Sequence, residues 1–287
     1  MNKTALLALG TLGAIAAGVI AWDNVRLTVT RYSVDFDELP EEFDGFRIVQ
    51  ASDLHNARFG KDQRKLIEAI RAEKPDIIAI TGDLFHTLRR ENAYSFLEQA
   101  TRLAPCYYVN GNHEQRFADY LSAIKPRLEE LGAVILDDES APIVRDNSHI
   151  TVIGLSDPSF MRTSPPERLT EEKLSRLETD GFTLLLSHRP ELFPVYARHN
   201  VSLALTGHAH GGQVRIPFVR RGLFAVHQGW LPKYTEGIFV ENNTKMIVSR
   251  SLGNSTLYPK FNDPPELVSV ILRRNERGRL PKPILCV

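Results

Sequence analysis

Two histidines stand one residue apart in the segment GHAHGG (207–212), directly after the apolar run VSLALT. Imidazole binds divalent metal ions and exchanges protons near neutral pH, so two histidines with a common target indicate a metal site. Four other apolar runs end in the same manner, with Asp, Asn or His among the next residues. These segments are SDLH (52–55), GDLF (82–85), GNHE (111–114) and SHRP (187–190).

Five strand ends of this kind can converge on one crevice, because ligands of open α/β sheets bind beyond the carboxyl ends of the strands. The set is large enough for two divalent ions that share a bridging carboxylate, as in hydrolytic sites whose ions lie about 3.5–4 Å apart. Carboxylate with imidazole suits Mn, Fe or Zn, and the lack of thiolate argues against a structural zinc site. The predicted metal ligands are Asp53, His55, Asp83, Asn112, His188, His208 and His210.

The spacing within two of these segments predicts shared targets. In an extended segment, residues i and i+2 point the same way, so Asp53 and His55 would reach one ion. His208 and His210 would likewise face one centre, one for each metal. Glycines at 82, 111, 207, 211 and 212 would allow the backbone to approach an ion or a phosphate closely. Each motif alone is weak evidence, and the prediction depends on all five occurring in order.

The elements that would position these residues alternate between strand and helix. Apolar runs at 46–52, 76–81 and 106–110 are separated by helical patterns at 61–74 and 90–103. This alternation predicts parallel βαβ units with buried strands.

The second half of the chain adds a hairpin around Asp146 and Asn147, within residues 141–155, and a short helix at 170–178. Further apolar runs lie at 182–187, 201–206, 245–251 and 266–273. We therefore expect one α/β domain, residues 25–287, with two sheets and flanking helices.

Composition limits the classes of function. The chain has 287 residues, of which 43% are hydrophobic, enough for a sizeable core. Lys and Arg together number 35, as do Asp and Glu, so the formal charge is zero. Proteins that grip nucleic acid carry a basic excess, which argues against that class of partner.

The N-terminal residues 1–24 predict a membrane anchor or a signal segment. Residues 4–22, TALLALGTLGAIAAGVIAW, are 19 residues without a charge. As a helix they would span about 28 Å, close to the hydrocarbon thickness of a bilayer. The small residues AIA (14–16) offer a cleavage-like site, but it lies inside the run, which favours an uncleaved anchor. Lys3 before the run favours an extracytoplasmic catalytic domain, with cytoplasmic attachment still open.

The motif order D-x-H, G-D, G-N-H-E, a single H and G-H-x-H resembles that of the calcineurin-like metallophosphoesterase superfamily, over residues 46–273. The extended GHAHGGQVRIP and the tail SRSLGNSTLYPKFNDPPEL are similar to its membrane-associated bacterial phosphodiesterases, some of which act on lipid-linked phosphates. This resemblance implies a four-layer αββα sandwich of two mixed sheets flanked by helices. It also implies hydrolysis of a phosphoester with the help of two divalent metal ions.

The resemblance also implies a role for each residue. Asp53, His55 and His210 would hold the first metal, with Asp83 bridging, and Asn112, His188 and His208 would complete the second. His113 would face the phosphoryl group as an acid or a charge stabiliser, and its ordinary pKa near working pH suits either role. Glu114 would either orient His113 or be a solvated acid at a helix start.

The segment GGQVRIPFVRRGLF (211–224) mixes Arg215, Arg220 and Arg221 with apolar residues. It would border the site and either bind an anionic, partly apolar substrate or rest on anionic headgroups, or it would be an ordinary amphipathic hairpin with solvated arginines. With the anchor, it favours a membrane-derived phosphodiester or pyrophosphate as substrate.

Other functions stay open. A phosphomonoesterase or protein phosphatase shares the metal chemistry, but a protein phosphatase needs an open groove for a peptide. A nuclease shares it too, although neutral charge argues against a long DNA interface. A non-catalytic metal-binding surface protein is the different class, which the complete set of predicted ligands disfavours.

Overall fold

The computed structural model describes residues 11, 18, 22–86, 89–160, 164–177, 181–215, 222–255 and 260–275. Within these ranges the strands are β1 (Thr28–Phe36), β2 (Arg47–Ala51), β3 (Ile77–Thr81), β4 (Cys106–Val109), β5 (Ala133–Ile135), β6 (Glu139–Arg145), β7 (Ser148–Gly154), β8 (Thr183–Leu186), β9 (Leu203–Thr206), β10 (Phe224–Ala225), β11 (Gly229–Trp230), β12 (Gly237–Glu241), β13 (Thr244–Val248) and β14 (Glu266–Arg274).

The α-helices of the same ranges are α1 (Arg64–Glu73), α2 (Glu91–Ala100), α3 (Lys125–Glu130), α4 (Pro166–Leu174) and α5 (Phe193–Arg198). A π-helical turn, Tyr120–Ile124, leads into α3. Short 3-10 turns occupy Glu41–Phe43, Lys61–Gln63, Glu114–Arg116, Pro158–Phe160, Pro190–Leu192 and His210–Gly212.

Two six-stranded mixed sheets form the centre of the fold. The first has the order β1-β14-β2-β3-β4-β5, and its pairs are parallel except for β14 with β2. The second has the order β12-β13-β9-β8-β7-β6, and only its two edge pairs are antiparallel. β10 and β11 form a separate short hairpin.

Three buried apolar clusters separate four layers. The middle cluster joins the two sheets face to face, with Ile48 and Ala79 from the first and Leu184 and Leu205 from the second. The outer face of the first sheet packs on α1, α2 and α3, and the outer face of the second packs on α4 and α5. The central strands of each sheet are apolar on both faces because the sheet is covered on both sides. The predicted αββα sandwich of two mixed sheets is confirmed.

A buried side chain aligns the two sheets near their carboxyl edges. The Gln50 amide nitrogen on β2 donates to the Thr81 hydroxyl on β3 at 2.9 Å and to the Thr206 carbonyl on β9 at 2.9 Å. One residue in the middle of the sandwich thus fixes the ends of strands from both sheets, and the predicted site residues follow those ends.

The membrane prediction falls largely outside the described residues, since of 1–24 only 11, 18 and 22–24 belong to them. Among the described helices, none has the length and apolar character needed to cross a bilayer.

Candidate metal centre

Backbone turns at the strand ends aim the predicted ligands. Asp53, His55, His208 and His210 have φ values of 52°, 48°, 66° and 47°. The prediction that these residues point together from extended chain is therefore wrong in its geometry. Left-handed turns, in which residues other than glycine are uncommon, bring each pair to the site instead.

One group of donors combines loops from both sheets. Asp53 and His55 follow β2, and His210 follows β9. The His210 Nε2 lies 3.3 Å from the Asp53 Oδ1 and 3.2 Å from the His55 Nε2. All three side chains are buried, and one ligand atom of each lies within 4.8 Å of the others.

A second group adjoins the first and consists of Asp83, His188 and His208. The His188 Nε2 lies 3.3 Å from the Asp83 Oδ2 and 3.1 Å from the His208 Nδ1. The Asp83 Oδ2 is also 3.6 Å from the His55 Nε2 of the first group. Asp83 thus stands between the two groups, where a carboxylate could serve both.

Asn112 lines the cavity above these groups together with Asp83 and His208. Its Oδ1 is buried and has no hydrogen-bond partner in the described part of the molecule. A buried amide oxygen without a partner costs free energy unless a ligand satisfies it. Amide oxygen, carboxylate and imidazole together make a donor set for divalent ions, so the residues present fit the metals that the sequence predicts.

The protonation states also suit cations. Burial would raise the pKa of Asp53 and Asp83, but nearby histidines, His188 foremost, hold both pKa values below the ordinary range. Burial lowers the pKa of His55 and His208 well below the ordinary value, so both imidazoles are neutral. Burial would also lower the pKa of His188, yet the two carboxylates raise it to about 10. Asp53 and Asp83 are therefore ready as anionic ligands, whereas His188 would have to release a proton before its Nε2 could hold a metal ion.

Neighbouring groups hold the donors in place. The Thr81 carbonyl accepts from the His188 Nδ1 at 2.8 Å, which leaves the Nε2 for the centre. The His113 backbone N–H donates to the Asp83 Oδ1 at 2.8 Å. Such partners orient ligand atoms before an ion arrives.

Glu114 has a role that neither sequence-based alternative predicted. Its side chain is fully buried, so it is not a solvated acid. The carboxyl accepts backbone N–H groups from Gly111 at 2.7 Å, Asp83 at 3.0 Å and Phe85 at 3.2 Å. Burial and the charge of Asp83 raise the pKa of Glu114 to about 8. Glu114 thus clamps the loops after β3 and β4 and does not orient the His113 ring.

His113 lies beside the centre, with its Nε2 3.8 Å from the Asp83 Oδ2. Its Nδ1 lies 3.3 Å from the Nδ1 of His86, and Arg116 approaches the same nitrogen at 3.4 Å. Burial lowers the pKa of His113 to about 4, with Asp83 opposing and Arg116 adding to that effect. The imidazole is therefore neutral at pH 7 and suited to donate a hydrogen bond.

A cluster behind His208, buried at Arg189 and Asp157 and exposed at His227, was missed by sequence reasoning. The His208 Nε2 lies 2.8 Å from the His227 Nδ1, which also contacts the Arg189 guanidinium. Arg189 is held by Asp157 through two hydrogen bonds, one of 2.9 Å. His188 preceded Arg189 in a recognised motif, but nothing in the sequence linked that arginine to residues 157 and 227.

A cavity of about 240 Å³ opens over the centre. Asn112, His113 and Arg116 line one side, while Phe224, Ala225 and Val226 contribute apolar surface. A polar floor with an apolar wall can receive a phosphoester that carries an apolar group.

The structure describes one of the three arginines that the sequence predicts as substrate ligands. The Arg215 guanidinium pairs with Glu236 and is absent from the described lining of the cavity. This arrangement does not support Arg215 as a substrate ligand. Arg220 and Arg221 lie outside the described residues.

Comparisons with known proteins agree with this geometry. The family model for calcineurin-like phosphoesterases matches residues 46–212, and the chain belongs to this family. The uncharacterized metallophosphoesterase YkuE of Bacillus subtilis is 30% identical over 92% of this chain and 95% of its own. The phosphodiesterase YaeI of Escherichia coli is 28% identical over 73% of this chain and 76% of its own.

A solved structure supports the fold alone. The phosphopantetheinyl hydrolase PptH of Mycobacterium tuberculosis aligns with a TM-score of 0.50 at 13% identity, covering 84% of this chain and all of that one. Family and fold together make this protein a metallophosphoesterase, a phosphoester hydrolase of a family that binds divalent metals.

Proposed function

We propose that this protein is a phosphodiesterase or pyrophosphatase that uses two divalent metal ions and acts on a membrane-derived or lipid-linked phosphate. The observation that carries the proposal is the pair of adjacent donor groups under one cavity, with Asp83 between them. Asp53, His55 and His210 would hold one ion, Asn112, His188 and His208 the other, and Asp83 both. When bound, the ions would supply positive charge to the phosphoryl oxygens and activate the attacking water.

The chain's own residues would orient the substrate and stabilise charge. Neutral His113, on the lining of the cavity, can donate a hydrogen bond to a phosphoryl oxygen or to the leaving oxygen. Arg116, exposed on the same lining, can attract the anionic ester. As water adds to phosphorus, the bond to the leaving oxygen breaks, and that oxygen finally takes up a proton.

A lipid-linked substrate is favoured by two features. Phe224, Ala225 and Val226 add apolar surface to a cavity that polar residues also line. The chain also carries 19 uncharged residues at 4–22, the length of a membrane anchor. We propose that this segment anchors the protein, with the catalytic domain on the extracytoplasmic side.

The first experiment compares two substrates with Mn²⁺-loaded protein: bis(p-nitrophenyl) phosphate, a diester, and p-nitrophenyl phosphate, a monoester. Asp83→Asn is the control for metal-dependent turnover. Strong diester cleavage that the control lacks is the expected result. Preference for the monoester would instead indicate a phosphatase. Near-normal hydrolysis by Asp83→Asn would remove the bridging role.

A further inference from the structure

A band of exposed apolar side chains lies beside the metal centre. Large apolar side chains that stay more than a third exposed are usually scattered over a soluble surface, and a contiguous group marks an interaction site. Here six of them lie in chain segments that border one another. We call this group the apolar rim: Val25, Val214, Phe224, Trp230, Leu231 and Phe261.

Hydrogen bonds join the start of the described domain to this rim. The Asn24 side chain donates to the Lys260 carbonyl at 2.8 Å and accepts the Lys260 backbone N–H at 3.0 Å. This two-bond clamp sets Val25, which is 66% exposed, near Phe261. The segment that follows the apolar residues 4–22 is therefore fixed to the same side of the molecule as the rim.

Backbone hydrogen bonds connect the other rim segments in turn. The Arg215 N–H donates to the Phe261 carbonyl at 3.1 Å, and the Leu223 N–H donates to the Val214 carbonyl at 3.0 Å. The Leu231 N–H then donates to the Leu223 carbonyl at 2.9 Å. The rim residues thus lie on neighbouring segments from three separate parts of the chain.

The rim merges with the wall of the catalytic cavity. Phe224 belongs to both, and its ring meets the Trp230 ring edge-on at a centroid distance of 5.6 Å. Trp230 is 76% exposed and Leu231 63% exposed, so the open end of the β10–β11 hairpin leaves much apolar area in water.

Two basic residues among the described parts of these segments are already paired. Arg215 pairs with Glu236, and the Lys260 Nζ lies 2.8 Å from the Asp263 Oδ2. Covering the rim with apolar material therefore leaves these charges with their partners, which avoids the large cost of burying a lone ion.

We propose that the apolar rim rests on a lipid bilayer and turns the mouth of the catalytic cavity toward the headgroups. The bilayer is the favoured occupant because residues 4–22, uncharged and long enough to span about 28 Å as a helix, join the fold at the rim itself. Trp at the rim suits the boundary between water and hydrocarbon. This inference rests on the proposed function for the choice of a membrane substrate, but docking itself needs no turnover.

The test uses the full chain and a tryptophan as depth reporter. The chain has two tryptophans, so Trp22→Phe leaves Trp230 alone. The protein is reconstituted with vesicles of phosphatidylethanolamine and phosphatidylglycerol whose acyl chains are brominated, or unbrominated for reference. Bromine quenches tryptophan only at contact range, so we expect Trp230 to lose much of its fluorescence in brominated vesicles.

A matched control places the reporter at the far end of the sandwich. Val144 is 68% exposed and pairs with His149 of β7. At the other end of β7, Gly154 pairs with Leu186, whose strand leads to the candidate metal centre. His149 and Gly154 are five residues apart on β7, a distance of about 16 Å along the strand. Val144→Trp in a chain with Trp22→Phe and Trp230→Phe should keep its full fluorescence in brominated vesicles.

The outcomes separate docking from catalysis. Quenching of Trp230 and not of the Val144 reporter supports contact between the apolar rim and the bilayer, whether or not a diester is cleaved. An unquenched Trp230 overturns the rim proposal and points to a protein partner or to no partner, even if the enzyme is active. Equal quenching of both reporters also overturns it, because it means contact without orientation.

Discussion

At the scale of single residues, Glu114 shows how a buried carboxyl group can build a metal site that it never touches. Two of the three backbone N–H groups it accepts belong to Asp83, whose carboxylate stands between the two donor groups, and to Gly111 of the neighbouring loop. A buried N–H without an acceptor costs about 1–3 kcal/mol. Glu114 therefore stabilises the loops in the arrangement that the donors need.

Glu114→Gln tests this role with almost no change of shape. The amide offers one acceptor oxygen, so its NH₂ must face at least one backbone N–H, and two donors then repel. We expect a loss of about 1–3 kcal/mol in the free energy of unfolding, measured with urea in the presence of a chelator. Glu129→Gln, an exposed change on α3, should cost almost nothing. Equal stability of the two variants would contradict the clamp.

The pair Asp157–Arg189 behind His208 leads to a prediction about pH. Burial would raise the pKa of Asp157, but the hydrogen bonds and charge of Arg189 lower it below the ordinary value. A carboxyl whose folded pKa is depressed stabilises the protein above its unfolded pKa, about 3.9. That contribution is lost as the pH falls through the folded pKa.

Asp157→Asn should therefore destabilise most at neutral pH. Removing one partner of a buried pair costs about 3–5 kcal/mol, and we expect the lower end because Glu191 remains 3.2 Å from Arg189. The difference in the free energy of unfolding between this variant and the unaltered protein should become smaller below about pH 4. Urea unfolding at pH 7 and at lower pH checks this. Asp119→Asn, which breaks the half-exposed Arg90 pair, is the control and should cost under about 1 kcal/mol. A difference in the free energy of unfolding that stays the same at both pH values would contradict the stabilising role of the Asp157 carboxylate.

The metal-donor residues could be predicted from the sequence because each of them closely follows an apolar run. The same logic could not find His227, which follows the short β10 strand in a segment without a strong pattern. Nor could it assign Glu114, since only the folded structure shows whether a carboxyl beside a histidine meets water or buried N–H groups. Long-range partners of this kind leave no local signal.

At the scale of elements, the long apolar strands were predictable and the short ones were not. β2, β3 and β4 lie within a residue or two of the predicted runs, because strands covered on both faces read as continuous apolar segments. β5 has three residues, and α5 has six with Pro194 in its first turn, too few for a periodic pattern. The left-handed turns at Asp53 and His55 were also missed, since residues other than glycine rarely adopt them.

Gly207 shows why the strand ends need glycine for space. A Cβ on Gly207 would overlap the Ser52 Oγ and the Asp53 Oδ2, so even alanine would push the end of β9 away from the end of β2. Since Asp53 and His208 lie at this contact, displacement would separate residues of the two donor groups.

Gly207→Ala should weaken Mn²⁺ binding by about 10- to 100-fold, the usual effect of disturbing groups that support metal ligands. Isothermal titration of the chelator-treated protein measures it. Gly181→Ala is the control: its Cβ meets nothing within 4 Å, but its φ is +69°. That variant should lose about 1 kcal/mol of stability through backbone strain and keep its metal affinity. Normal Mn²⁺ affinity in Gly207→Ala would show that the close approach does not matter.

At the scale of the whole molecule, the donors of the candidate metal centre come from both sheets. Asp53, His55 and Asp83 follow strands of the first sheet, whereas His188 and His208 follow strands of the second. The sheets already meet through an apolar layer and through Gln50, so the fold does not depend on ions. Ions bound to donors of both sheets would add to that stability by binding only the folded chain.

Removing metal should therefore lower the melting temperature without abolishing the fold. At a free Mn²⁺ concentration 100 times the dissociation constant, binding adds about 2.7 kcal/mol. For a protein of 287 residues that corresponds to about 4–5 °C. Thermal scans with and without a chelator should show this difference in the unaltered protein and much less of it in Asp83→Asn, which lacks the carboxylate between the two groups. If chelation left the melting temperature unchanged, or shifted both proteins equally, ions at this centre would not join the two sheets.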